Sequence, residues 1–236
     1  MRIQDSLCIA LDGSDRQWIL ATAAKLADQA GWFKIGLEAF VGHGPGLVTE
    51  VAELGPKIFL DLKLHDIPAT VERAAANCAA CGAAMLTVHA GGGREMLEAA
   101  VQGAHSGPQA EPSRVVAVTV LTSLDMQALG ELGVERSLQE LVLGWADVAR
   151  CAGVSGVVAS AHEAPALRNS CGQDFLIVTP GIRPQAVAAD DQRRVVTPAA
   201  ALAAGADLLV VGRPITRAPD PVEAAQRILG EMSEAV

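Results

Sequence analysis

The segment Asp61-Leu62-Lys63-Leu64-His65-Asp66 sets acids and bases at close spacing at the end of an apolar run. Side chains of a strand alternate between faces, so Asp61, Lys63 and His65 are expected on one face and Leu62 and Leu64 on the other. Charges on an apolar strand are costly to bury singly and tolerable when they pair and hydrogen-bond. Taken alone, a D-x-K pair reads as a structural ion pair or a solvated strand end. Here Asp12, Lys34 and Asp66 fall on the same rim, and the set reads as an acid–base array. Such an array holds a lysine charged beside a carboxylate, ready to donate a proton.

A second feature is Gly212-Arg213. Glycine lets a ligand approach the backbone, and the guanidinium fork suits phosphate oxygens. The bland reading is a turn glycine and a paired arginine; the place of the dipeptide, after the last apolar run, favours a phosphate subsite. Other signals are weaker. Cys78-Ala-Ala-Cys81 lies in an alanine-rich helical stretch and has no second pair to complete a zinc site. His89 reads as hydrogen-bonded at the rim rather than metal-bound. Gly91–Gly93 reads as a turn before an anion nest. His43, His105 and His162 read as surface or helix-start residues.

The elements that must position these groups repeat. Apolar runs are expected as strands at Leu7–Leu11, Trp32–Leu37, Lys57–Leu62, Ala83–His89, Val115–Leu121, Val154–Ala159, Phe175–Val178 and Asp207–Val211. Their starts lie roughly 20 to 40 residues apart, room for one helical crossover each. Near-continuous runs such as VVAVTVL fit parallel strands buried on both faces. Helix signals punctuate them: Asp220-Pro221-Val222-Glu223 with Gly230 as its stop, Thr197-Pro198 with Gly205, and S-x-x-E at Ser137/Glu140 and Ser160/Glu163. An α/β (β/α)₈ barrel forming a single domain over residues 1–236 is expected. An open doubly wound sheet is the alternative, but the first run ends Leu-Asp-Gly-Ser-Asp, without a G-x-G-x-x-G fingerprint. In a barrel the strand C-termini carry function. There lie Asp12, Lys34, Asp61, His89, Thr122, Arg183 and Arg213.

The chain has 236 residues, 50% of them hydrophobic, and a net charge of −9. That apolar fraction excludes global disorder, and the acidic balance argues against a general nucleic-acid binder. No run reaches the roughly 18 apolar residues of a membrane span. The N-terminus lacks a secretory apolar core, so a cytoplasmic protein is expected. Five scattered cysteines read as reduced core thiols rather than a disulfide framework.

The sequence Asp61-Leu-Lys63-Leu-His65-Asp66-Ile67-Pro68-Ala-Thr70 resembles the signature of the orotidine 5′-phosphate decarboxylases. The similarity spans nearly the whole chain. Ala-Leu-Asp12, Phe-Lys34-Ile-Gly, Val-Leu-Thr122-Ser, Thr-Pro-Gly-Ile-Arg183-Pro, Asp-Gln192-Arg and Val-Gly212-Arg213-Pro-Ile recur in the order of bacterial members. The D-x-K-x-x-D core is shared with 3-keto-L-gulonate 6-phosphate decarboxylase and hexulose-phosphate synthase. The Ile-Pro-x-Thr continuation, the Pro-Gly-Ile-Arg turn and Gln192 select the orotidylate branch. Ala69 departs from the Asn of many bacterial members.

The resemblance implies Lys63 as proton donor to C6 of the pyrimidine and Asp61 beside the departing carboxylate. Lys34 and Asp66 complete the charge network. Asp66 and Thr70 are implied to reach across from a second subunit, giving a homodimer with shared sites. Asp12, Lys34 and Thr70 contact ribose, Ile67 joins the substrate pocket, and Thr122 lies at the pyrimidine. Gln192, Gly212 and Arg213 hold the phosphate, with Arg183 nearby. No metal or organic cofactor, nucleic acid or membrane is implied. Three rivals remain: a Mg²⁺-dependent sugar-phosphate enzyme of the same fold, a Schiff-base aldolase, and a non-catalytic nucleotide-binding barrel. Flanking carboxylates disfavour the Schiff base, because they stabilise a protonated amine.

Overall fold

The computed structural model describes residues 2–107, 110–184 and 196–235. Strands and helices alternate: β1 (Leu7–Ala10), α1 (Arg16–Leu26), β2 (Trp32–Gly36), α2 (Leu37–Ala52), β3 (Lys57–Leu64), α3 (Pro68–Ala80), β4 (Ala83–His89), α4 (Gly93–His105), β5 (Arg114–Val118). After two helices, α5 (Met126–Glu131) and α6 (Leu138–Cys151), come β6 (Gly156–Val158), α7 (Ala164–Cys171), β7 (Leu176–Thr179), α8 (Pro198–Ala203), β8 (Leu208–Val211), α9 (Arg213–Thr216) and α10 (Pro221–Ser233). The strands are parallel and close in sequence order. Closure is made by β1 against β8, with Leu7 opposite Leu209 and Ile9 opposite Val211. That pairing rules out the open sheet.

Burial on two faces explains the unbroken apolar runs. Outward residues such as Ile9, Phe33, Leu60 and Val157 pack with helix residues Ile19, Leu26 and Leu167 in one core. Inward residues Cys8, Trp32, Phe59, Met85, Val116 and Val178 fill the barrel itself. The barrel interior is therefore a packed plug, and polar chemistry is pushed to its C-terminal mouth.

Helix ends follow the residues that start them. Asp220 accepts from the N–H groups of Val222 and Glu223, and Ser137 with Glu140 forms a reciprocal capping box. Thr197 caps α8. Two punctuation expectations fail. Gly230 lies inside α10, which continues to Ser233. Ser160 donates its N–H to Glu163, but α7 starts only at Ala164, so this S-x-x-E closes a turn and caps no helix. Strand β5 stops at Val118, short of Leu121. All five cysteines are free thiols; Cys8 and Cys78 are buried, but Cys151 is exposed at the end of α6 rather than in the core. No helix among the described residues is long and apolar enough to cross a membrane.

The main departure is in β3. Its ladder with β4 pairs Leu60 with Leu86, then resumes with Leu64 opposite Val88. Three residues of β3 thus face one of β4. Within the bulge Lys63 adopts φ 53°, a left-handed backbone at a non-glycine residue. The simple pleat expected for Asp61, Lys63 and His65 is absent. Asp61 and Lys63 still meet on one side, whereas His65 is turned to an exposed position beside the His89 ring, 5.4 Å between centroids.

Candidate active site

A cavity of about 710 Å³ opens at the C-terminal mouth of the barrel, and its lining combines two kinds of charge. At one side stand Asp12, Lys34, Asp61 and Lys63; at another, Arg183, Arg213 and Arg217. Phe59, Val118, Val158 and Val210 supply apolar floor.

The first group is a chain of alternating charge. Lys34 Nζ donates to Asp12 Oδ1 at 2.8 Å and faces Asp61 Oδ2 at 3.5 Å. Lys63 Nζ donates to Asp61 Oδ1 at 2.7 Å. Two anions and two cations sum to zero, so each buried charge has a partner. Lys34 rises from the interior face of β2, two residues beyond Trp32. Gly36 makes room for it: a Cβ there would stand 2.9 Å from Asp12 Oδ1 and 3.1 Å from Lys34 Nζ.

The protonation states follow from this geometry. Burial opposes the Lys34 charge, but Asp12 and Asp61 outweigh it and raise its pKa. Burial likewise pushes Asp61 up; Lys34, Lys63 and hydrogen bonds from Lys63 and Thr87 overcome that and hold it below the usual carboxylate value. Lys34 and Asp61 are thus both held in their ionised forms. Beside them, burial together with His65 and Lys63 lowers the His89 pKa, favouring the neutral ring. The His89 ring lies against the His65 ring. Among the described residues, no three His, Cys, Asp or Glu side chains are grouped as a metal ion needs. Burial pushes the Cys78 thiol up to about 12 and also raises Cys81, which makes the C-x-x-C pair poorly nucleophilic.

The arginine side is assembled by β7 and β8. Gly212 follows β8 as the N-cap residue of α9, which opens with Arg213. After β7, the Thr179-Pro180-Gly181-Ile182-Arg183 turn is tied down when Arg183 N–H donates to Val196 O at 3.0 Å. The Arg183 guanidinium is buried and donates to Ile182 O at 2.9 Å.

Comparison with known proteins identifies the family. The model for the orotidine 5′-phosphate decarboxylase / HUMPS family matches residues 5–228. The chain belongs to that family. It is 50% identical over 240 residues to the orotidine 5′-phosphate decarboxylase of Moorella thermoacetica, covering 98% of this chain and 94% of that protein. The namesake from Anaeromyxobacter sp. (strain K) is 49% identical over 228 residues, covering 97% and 98%. The crystal structure of the Lactobacillus acidophilus orotidine 5′-phosphate decarboxylase matches with a TM-score of 0.86 and 37% identity, over 96% of this chain and 98% of that one.

In this member of the orotidine 5′-phosphate decarboxylase / HUMPS family, the cavity brings together Asp12, Lys34, Asp61, Lys63, Thr122, Arg183, Gly212 and Arg213. Three other sequence candidates stand elsewhere. Asp66 is exposed, its Oδ1 accepting from Ile67 N–H at 2.7 Å. Ile67 is 66% exposed, and Thr70 lies in the first turn of α3. None of the three lines the cavity of its own chain. Asp12, rather than Asp66, is the fourth member of the ion chain within one chain. Gln192 lies outside the described residues.

Some lining groups were not anticipated, among them Glu38, Thr216 and Arg217. Thr87 was missed too, although it contacts both Lys63 and Asp61. The available signal was a lone hydroxyl on the inward face of an apolar strand, in register between Met85 and His89.

Proposed function

We propose that this enzyme converts orotidine 5′-phosphate to UMP and CO₂, with Lys63 as the proton donor. The observation that carries the reading is the Asp12–Lys34–Asp61–Lys63 chain of ion pairs, in one cavity with arginines, in a chain of this family. In the reaction the bond between C6 and the carboxylate breaks, CO₂ leaves, and the electron pair stays on C6. The Lys63 ammonium stabilises that charge and gives C6 a proton; the neutral amine then regains one from solvent. Fixed charge of this kind is usually the largest catalytic term. Asp61 orients Lys63 through the 2.7 Å hydrogen bond, and its repulsion of the substrate carboxylate adds a smaller effect. Asp12 and Lys34 hold the ribose and Thr122 the pyrimidine. Arg213, Gly212, Gln192 and the nearby Arg183 hold the phosphate, whose binding energy orders the site although it is remote from the breaking bond. No metal or organic cofactor takes part.

The enzyme works as a homodimer in the cytoplasm, each chain one barrel domain. Asp66, Ile67 and Thr70 complete the partner's site, and Asp66 adds a second carboxylate to Lys63 there. Asp66 and Ile67 are exposed and Thr70 is half-buried at the start of α3, all three off their own cavity, and this supports the reading. Co-expressed Lys63→Ala and Asp66→Ala chains should recover activity that neither has alone; a mixture as inactive as its parents contradicts shared sites. The activity itself is tested by spectrophotometric loss of orotidine 5′-phosphate with and without EDTA. Chelator-independent turnover is expected. No turnover, or turnover that EDTA abolishes, contradicts the proposal.

A further inference from the structure

We propose that Thr87 of β4 is a positioning residue that holds the Lys63–Asp61 pair in its working geometry. The inference rests on the preceding reading of Lys63 as proton donor. The side chain is fully buried. Its Oγ1 accepts from the Lys63 backbone N–H at 2.8 Å and donates to Asp61 Oδ1 at 3.0 Å. The polarity is forced: an amide only donates, an ionised carboxylate only accepts, and the hydroxyl has one proton. The same Asp61 oxygen accepts from Lys63 Nζ at 2.7 Å. A closed circuit results, running from the Lys63 amide through Thr87 to Asp61 and back along the Lys63 side chain.

The circuit is needed because of the bulge in β3. Between the Leu60–Leu86 and Leu64–Val88 pairs the ladder is interrupted. There the Lys63 amide finds the threonine hydroxyl in place of a strand carbonyl. At φ 53° the Lys63 backbone sits where residues with a Cβ are disfavoured. Such a conformation persists only when its surroundings over-determine it. Thr87 does so from beneath, while Lys34 faces the other carboxylate oxygen, Oδ2, at 3.5 Å. Both Asp61 oxygens are thereby engaged, and Oδ1 is the one that holds the Lys63 ammonium. The hydroxyl also contributes to keeping Asp61 ionised.

The test compares Thr87→Val, which keeps the shape and loses both bonds, with Thr87→Ser, which keeps the hydroxyl. Steady-state turnover of orotidine 5′-phosphate, UMP affinity and amide exchange at Lys63 are measured in each. Thr87→Val should lower kcat by about 10- to 100-fold, the loss expected for a hydrogen bond to a charged group. Its UMP affinity should stay within about threefold, because the other ligand contacts remain. Thr87→Ser should recover most of the kcat. In the wild-type protein the Lys63 amide should exchange slowly, which needs no variant to fold and no activity. Thr87→Val at wild-type kcat, a serine variant as slow as the valine one, or a freely exchanging Lys63 amide in the wild type overturns the inference. An inactive wild type with a protected Lys63 amide instead refutes the functional reading and leaves the circuit standing.

Discussion

The barrel carries an ion network at each end, and the two differ in what they leave undone. At the N-terminal end of β7 and β8, Arg168 donates to the carbonyls of Gly172, Gln173, Phe175 and Gly205 and to Asp207 Oδ2, the last at 2.6 Å. Asp207 Oδ2 also accepts from Ile177 N–H at 2.7 Å. One guanidinium there pins the two loops that launch two strands. At the C-terminal mouth, the Asp12–Lys34–Asp61–Lys63 chain lines open space, and Lys63 holds a disfavoured backbone conformation. The lower network joins loops; the upper one is strained and solvent-facing, with an ammonium available for chemistry. Strain and paired charge at a cavity mark function, whereas similar pairing in a closed joint marks stability.

That contrast can be broken by substitution. Lys63→Ala should abolish decarboxylation, a fall of at least about a thousandfold in kcat, while nucleotide binding persists. Product-release assays and UMP titration check it, and near-normal turnover refutes the donor role. Arg213→Ala should lower kcat/KM by about 100-fold or more, with part of the loss restored by soluble guanidinium. Wild-type kinetics in that variant exclude the phosphate grip. Gly36→Ala is subtler. Its new methyl meets only the tips of Asp12 and Lys34, so the fold should survive and kcat/KM should drop by about tenfold.

The lower network should respond in the opposite sense. Arg168→Ala should cost about 3 kcal/mol of stability, read by urea melts, with kcat unchanged in the folded fraction. A large kcat loss there would merge the two regions. The smallest effect is a pH dependence. The Asp61 pKa is lowered by folding, so its contribution to stability is present above the ordinary carboxylate value and disappears as pH falls through the lowered one. Asp61→Asn should therefore be less stable than the wild type by about 1–2 kcal/mol at pH 7, a gap that closes only below about pH 4. A gap that is already closed at pH 5 would contradict the direction of the shift.

The fold was legible because period and burial agree. Each apolar run from Leu7 to Val211 became a strand, since a parallel sheet covered on both faces needs unbroken hydrophobicity. Boundaries were less legible: β5 ends at Val118, though its apolar run continues to Leu121, because Val120 and Leu121 serve the cavity instead. The charged residues at strand ends were readable from their types and places, whereas Glu38, on α2, and Arg217, at the C-terminal end of α9, were not. The bulge was not. Alternation placed Asp61, Lys63 and His65 together, and nothing in D-L-K-L-H announces a left-handed lysine. Its partner Thr87 is distant in sequence, so the circuit could be seen only once β4 lay beside β3. Nor could one chain's sequence show that Lys34 pairs with Asp12 at 2.8 Å; that depends on β1 lying beside β2.

The most direct measurement is a crystal structure of the intact assembly with UMP bound. The account predicts Lys63 Nζ between Asp61 and C6 of the pyrimidine, with the phosphate against Arg213. A Lys63 ammonium turned into bulk solvent, or a base seated away from it, would contradict the account.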